Sequence, residues 1–284
     1  MYDQLTFERE NRERIQAVEN SFRPSGRPLT RPGRFLMGEG CLLKQGRRRP
    51  EPRTFFLFND MLMYGTKVLR GRWYKKQNII PLEDVLLGDV EDSDELKNQW
   101  LIRTPRKSFF VSAESLEEKR AWMQHIEQCK ADLLQSGGLQ AGANFAVSWI
   151  PDQTSYKCMR CLKKFSVSRR RHHCRRCGFL VCNNCSRPRE LIEHIHPTKR
   201  VRVCSLCHIR KEDSNPRLRG DSTGTNSSED EDSAESSDEE EEEEEATMQD
   251  HVPSSWLDFR MGTWGHRTSF QPGDLNLRPV SSPT

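Results

Sequence analysis

CMRCLKKFSVSRRRHHCRRCGFLVCNNCSRPRELIEHIHPTKRVRVCSLC, from Cys158 to Cys207, is the stretch that decides how the middle of this chain folds. Its eight cysteines fall into four C-x2-C pairs: Cys158/Cys161, Cys174/Cys177, Cys182/Cys185 and Cys204/Cys207. Two thiolates three positions apart grip one side of a tetrahedral ion, so four such pairs in one short segment read as two zinc sites. Spacing alone leaves the pairing open. Either consecutive pairs share an ion, or the first pair works with the third and the second with the fourth. Within the same stretch, Arg170-Arg171-His172-His173-Cys174-Arg175 sets a cluster of donors against the metal ligands. Arginine forks suit phosphate oxygens, so the segment points to recognition of a phosphorylated partner and not to catalysis.

The rest of the composition agrees with a binding protein. A chain of 284 residues has room for about two domains. Only 34% of it is hydrophobic and 31% is charged, too polar for the whole to fold. The net charge of +3 hides a division: residues 1–220 hold 42 Lys and Arg against 25 Asp and Glu, whereas residues 221–284 hold 3 against 17. A basic body with an acidic tail predicts an anionic partner and a tail that competes for it, so deleting residues 221–250 should raise affinity for that partner at low salt. No apolar run approaches the roughly 18 residues of a membrane span, and the polar, acidic N-terminus is no secretion signal. The expected compartment is the cytosol, where paired cysteines stay reduced and serve as metal ligands.

Outside the cysteine block, Ile15, Val18 and Phe22 recur at helical spacing, which predicts an amphipathic helix within residues 1–34, followed by a Pro/Gly loop. From Phe35 onward the chain reads as short strands. Thr54–Phe58 and Met61–Tyr64 meet at the two-residue turn signal Asn59-Asp60. A helix follows from about Ser115 to Leu134, with Trp122, Met123, Ile126, Cys129 and Leu133 on one stripe and Ser115/Glu118 as a capping box. Cys41 and Cys129 sit in apolar runs and read as core residues. Residues 136–148 read as a flexible linker. Residues 213–284 read as a disordered tail with an unbroken Glu239–Glu245 run and an unassigned Trp256–Trp264 segment.

Strands closed by one helix with a central Trp make residues 35–135 resemble the pleckstrin homology (PH) domain, a β-barrel capped by its C-terminal α-helix. In lipid-binding members of that family the loop after the first strand holds phosphate. Here that loop supplies Lys44, Arg47, Arg48, Arg49 and Arg53, with Phe55 where the family pattern wants another cation.

Residues 149–212 resemble the FYVE zinc finger. Trp149-Ile-Pro-Asp152 matches its W-x-x-D motif, Arg170–Arg175 its R-[RK]-H-H-C-R core and Arg202-Val203-Cys204 its R-V-C motif. The resemblance implies a cross-braced fold with two Zn2+ ions. It assigns Cys158, Cys161, Cys182 and Cys185 to one ion and Cys174, Cys177, Cys204 and Cys207 to the other. It also implies binding of phosphatidylinositol 3-phosphate on acidic endosomal membranes through Asp152, Arg170, Arg171, His172, His173, Arg175 and Arg202. Val167 and Ser168 would form the tip that dips into the bilayer. The basic excess of this block also suits nucleic acid, but its aromatics give no stacking platform, so none is expected as a partner. Protonation of the two histidines between about pH 7.4 and 6 should tighten phosphate binding.

The order of the parts resembles the phafin family, which implies an adaptor on early endosomes and lysosomes with roles in trafficking, autophagy and apoptosis. Protein partners are expected to use the C-terminal tail. The rival reading is a RING-like ubiquitin ligase. It fits less well, because a RING normally spends a His on its metal and here all eight positions are Cys.

Overall fold

The computed structural model describes residues 4–22, 24–68, 73–92, 97–137, 140–213, 253–258 and 263–265. Seven antiparallel strands form the first unit: β1 (Leu36–Gln45), β2 (Pro50–Phe58), β3 (Met61–Lys67), β4 (Tyr74–Pro81), β5 (Leu86–Asp89), β6 (Gln99–Arg103) and β7 (Phe109–Ser112). Their order is β4-β3-β2-β1-β7-β6-β5. β4 and β5 are the two ends of this path, so the barrel is open between them among the described residues. The β2–β3 hairpin turns at Asn59-Asp60, where Arg34 donates to both Asp60 carboxylate oxygens at 2.9 and 3.0 Å.

Helix α2 (Leu116–Gly137) closes the barrel. The Ser115 hydroxyl accepts the Glu118 N–H at 3.1 Å, while the Glu118 carboxylate reaches back to the Glu114 N–H at 3.2 Å. Trp122 is fully buried against Phe55, with ring centroids 6.2 Å apart. Around it lie Leu57, Leu62, Trp100, Ile102, Val111, Ile126 and Cys129. Cys129 is buried there, and Cys41 is half-buried.

The opposite face of β2 and β3 is covered by helix α1 (Gln4–Ser21), whose stripe buries Ile15 and Val18, with Phe22 just beyond it, against Phe56, Phe58 and Met63. This face makes β2 and β3 apolar on both sides, which is why Phe55–Phe58 reads as an unbroken run.

Beyond α2 the linker is tied down, contrary to the flexibility expected of it. The Gly142 N–H donates to Glu83 O, the Ala146 N–H to Thr104 O and the Ser108 hydroxyl to Ala146 O. The second unit consists of short pieces: β8 (His172–His173) with β9 (Leu180–Val181), β10 (Arg189–Leu191) with β11 (Arg200–Arg202), and helix α3 (Ser205–Asp213).

Two short strands lie within the segment 213–284 that was expected to be disordered, most of which is outside the described residues. β12 (Ser255–Asp258) pairs with Gly38–Glu39 of β1, and β13 (Thr263–Gly265) pairs with β12. Trp256 is buried in the first unit's core. β1 runs alongside β7 only at Leu43–Lys44. Its first half therefore has an edge to spare, and the tail fills it. The acidic run lies outside the described residues, as does the expected competition it would exert. No helix among the described residues is long and apolar enough to cross a membrane.

Candidate metal centre and anion pocket

The eight cysteine sulfurs gather as two quartets, Cys158/Cys161/Cys182/Cys185 and Cys174/Cys177/Cys204/Cys207, with all Sγ atoms of a quartet within 4.8 Å of one another. The pairs alternate between the two groups, which resolves the choice that spacing left open. Both quartets fit a tetrahedral zinc ion. Zn–S bonds of about 2.3 Å place sulfurs about 3.8 Å apart, and Cys161–Cys182 and Cys177–Cys204 lie at 3.8 and 4.0 Å. Donors point at sulfur, as they do around thiolates. The Cys182 N–H reaches Cys158 Sγ at 3.3 Å and the Cys204 N–H reaches Cys174 Sγ at 3.2 Å. Arg160 donates to Cys177 and Cys204 at 3.3 Å each. The hydrocarbon buried around the quartets is modest, chiefly Val181 and Val203 with partial cover from Phe165, Phe179 and Ile192. A metal therefore has to hold this unit together. None of the five histidines of this unit belongs to either quartet.

Beside the metal centre a cavity of about 650 Å³ is lined by Arg48, Asp152, Gln153, Ser166, Val167, Arg170 and Arg171. Asp152 is placed by the short 3-10 turn Asp152–Thr154. Its Oδ1 is buried, makes no hydrogen bond among the described residues, and lies 3.6 Å from His173 Nε2. The His173 ring is fixed by a 2.8 Å contact from Nε2 to Ile150 O. It stacks on Trp149, with centroids 4.9 Å apart. Arg171 lies over the Phe165 ring at 4.9 Å, which leaves Phe165 partly buried against the metal core. Val167, at the rim of the cavity, is 92% exposed. Ser168 is exposed beside it, bonded to Ser166.

Of the seven residues expected to contact a headgroup, Asp152, Arg170 and Arg171 line the cavity; His172, His173, Arg175 and Arg202 do not. Arg175 lies over the Trp149 ring at 3.8 Å and donates to His173 O. Arg202 is held by Asn183 Oδ1 and Ser186 O, at 2.8 and 2.9 Å. Burial, reinforced by Arg202 and Arg189, holds the His172 pKa down to about 4. Burial also lowers that of His173. His172 is therefore neutral across the window from about pH 7.4 to 6, and burial shifts protonation of His173 toward lower pH, which works against the tightening expected with acid.

The cations expected to form a separate lipid site on the first unit are dispersed. Lys44 is buried between the Tyr64 and Phe109 rings, at 5.6 and 4.8 Å. Arg53 pairs with Glu51 at 2.5 Å. Arg49 is exposed. Arg47 lies over Trp149, and Arg48 lines the cavity of the second unit. Sequence reasoning missed Gln153 and Ser166 as cavity residues, and nothing in their local pattern marks them. For Arg48 the charge was visible but not its destination.

Comparison with known proteins is consistent with this division. The family model described as "FYVE zinc finger" matches residues 148–212, and that described as "PH domain" matches residues 36–131. The chain is 48% identical over 227 residues to pleckstrin homology domain-containing family F member 1 of Rattus norvegicus, covering 78% of this chain and 81% of that one. It is 48% identical over 209 residues to family F member 2 of Homo sapiens, covering 73% and 84%.

Proposed function

This chain belongs to the pleckstrin homology domain-containing family F, the phafins, and from that membership we propose that it is a non-enzymatic adaptor that reads phosphatidylinositol 3-phosphate on endosomal membranes. Two Zn2+ ions, one per cysteine quartet, hold the finger in shape. The observation that carries the reading is the joint presence of Asp152, Arg170 and Arg171 in one cavity whose rim bears the exposed Val167.

Guanidinium groups bind phosphate with parallel, charge-assisted hydrogen bonds. The buried, unbonded Asp152 Oδ1 accepts hydrogen bonds from inositol hydroxyls. The same carboxylate repels a phosphate placed at a neighbouring ring position, so selectivity for a single 3-phosphate comes partly from repulsion. Val167 and Ser168 enter the interfacial layer, while Arg169 beside them keeps insertion shallow and favours anionic lipid. The biological setting that follows is traffic between endosomes and lysosomes, with links to autophagy and apoptosis. Protein partners engage it through the C-terminal tail.

Liposome flotation across the phosphoinositides tests the proposal. The wild-type chain should float with phosphatidylinositol 3-phosphate. Arg171→Ala should stay in solution, and Arg53→Ala should behave as wild type. Equal flotation with every phosphoinositide, or an undiminished Arg171→Ala, would sink it.

A further inference from the structure

We propose that the headgroup pocket is built from both folded units, with Arg48 of the β1–β2 loop acting as one of its phosphate ligands. This deepens the lipid reading above and rests on it. The residues after β1 were expected to form a phosphate site of their own, and the structure uses them differently.

Two contacts seat that loop against the finger, and a third, from Lys107 between β6 and β7, seats the first unit beside it. The Asp152 N–H donates to Arg47 O at 3.0 Å, a backbone bond between the loop and the residue that faces the ligand. Arg47 and Lys107 from the first unit and Arg175 from the second all approach the one Trp149 ring, at 5.7, 5.0 and 3.8 Å. The linker is pinned along the first unit by the bonds of Gly142 and Ala146, so the finger is not left to swing on a loose tether. These contacts carry the side chain after Arg47 into the lining of the cavity, with Asp152, Arg170 and Arg171.

The chemistry follows from the count of charges. Arg170 and Arg171 are consecutive residues of the finger. Arg48 belongs to the other unit. Against a phosphate of about −2, Arg170 and Arg171 with the Asp152 carboxylate leave a net charge of only about +1. The third guanidinium, from the other unit, raises the lining to about +2, matching the phosphate. Binding the headgroup then also fastens the two units together.

The test uses the full chain and three probes: soluble inositol 1,3-bisphosphate, inorganic phosphate, and phosphatidylcholine vesicles containing phosphatidylinositol 3-phosphate. Arg48→Ala should weaken binding of the soluble headgroup about tenfold, the scale of one charge-assisted hydrogen bond. Arg49→Ala removes the same charge from the same loop, outside the cavity, and should leave it unchanged. Thermal melts of both variants should match wild type. The proposal is overturned if Arg48→Ala binds the soluble headgroup like wild type, if Arg49→Ala weakens it equally, or if Arg48→Ala loses affinity only for vesicles. Arg171→Ala separates the two levels of the claim. If that variant binds headgroup normally, the lipid reading falls and the composite pocket with it. Inorganic phosphate bound as tightly as the headgroup, with the same dependence on Arg48, would keep the composite pocket and discard the lipid as its ligand.

Discussion

Asp152 shows how a single residue reveals a ligand. A buried carboxylate oxygen without a hydrogen bond is costly, and such groups persist where a partner arrives later. Asp152 Oδ1 is in this position, with the His173 ring 3.6 Å away and already held by Ile150 O. Asp152→Ala removes the acceptor without disturbing the metal ligands. It should weaken binding to phosphatidylinositol 3-phosphate vesicles about tenfold while leaving the melting temperature unchanged. A sedimentation assay and a thermal melt check both halves, and a lower melting temperature with unchanged binding would make Asp152 structural. Trp149 shows the reverse case. Its motif was legible, but its role as the platform for Arg47, Lys107 and Arg175 depends on residues from two units.

Among the elements, the C-terminal hairpin changes the account of the first unit most. Trp256 lies edge-on to Trp122, at 4.8 Å and 65°, and stacks flat on His125 at 3.9 Å and 8°. The hydroxyl of Ser254 accepts the Trp122 indole N–H at 2.9 Å and donates to Glu118. β1 admits this hairpin because it carries glycine where the tail crosses. A Cβ on Gly38 would fall 2.3 Å from the Trp256 ring, and one on Gly40 would fall 2.1 Å from Ser254 Oγ. Trp256→Ala should destabilise the first unit by about 3 kcal/mol, the usual cost of deleting a buried aromatic. Gly38→Ala should mimic it by displacing the strand. Urea unfolding followed by Trp fluorescence reads both, and an unchanged midpoint would mean that the hairpin adds nothing to stability. Burial lowers the His125 pKa. The folded chain thus resists protonating this ring, while the unfolded chain takes up a proton below about 6.5. Stability should be intact above about pH 6.5 and decline as pH falls below it. His125→Phe, which keeps the stack, should flatten that decline in urea midpoints compared at about pH 7.5 and 5.5.

At the scale of the molecule, the two units are held by different forces. The first has a continuous apolar core around Trp100 and Trp122. The second buries mainly sulfur, so its stability is metal affinity. Chelation should unfold residues 148–212 and leave the first unit folded. A thiol titration would then gain the eight quartet cysteines, while Cys129 stays protected because burial pushes its thiol pKa far up. Circular dichroism should retain the strand signal of the first unit, and one joint transition for both units would argue against this division. The strands, α2 and the cysteine frame were legible because each is a short-range pattern: alternation, helical spacing and paired thiols. The tied-down linker was not, since Gly142 and Ala146 bond to Glu83 and Thr104, which no local signal connects to them.

The sequence by itself determined the two units, the eight sulfur donors and the arginine-rich core, because those properties reside in neighbouring residues and in side-chain chemistry. Only the tertiary structure decided which pairs of cysteines share a centre, which cations reach the pocket and which remain engaged elsewhere, and that Ser254 and Trp256 return to α2 across 132 residues of chain. Those outcomes depend on contacts between distant segments, and such contacts are set by shape, down to the missing Cβ atoms of Gly38 and Gly40.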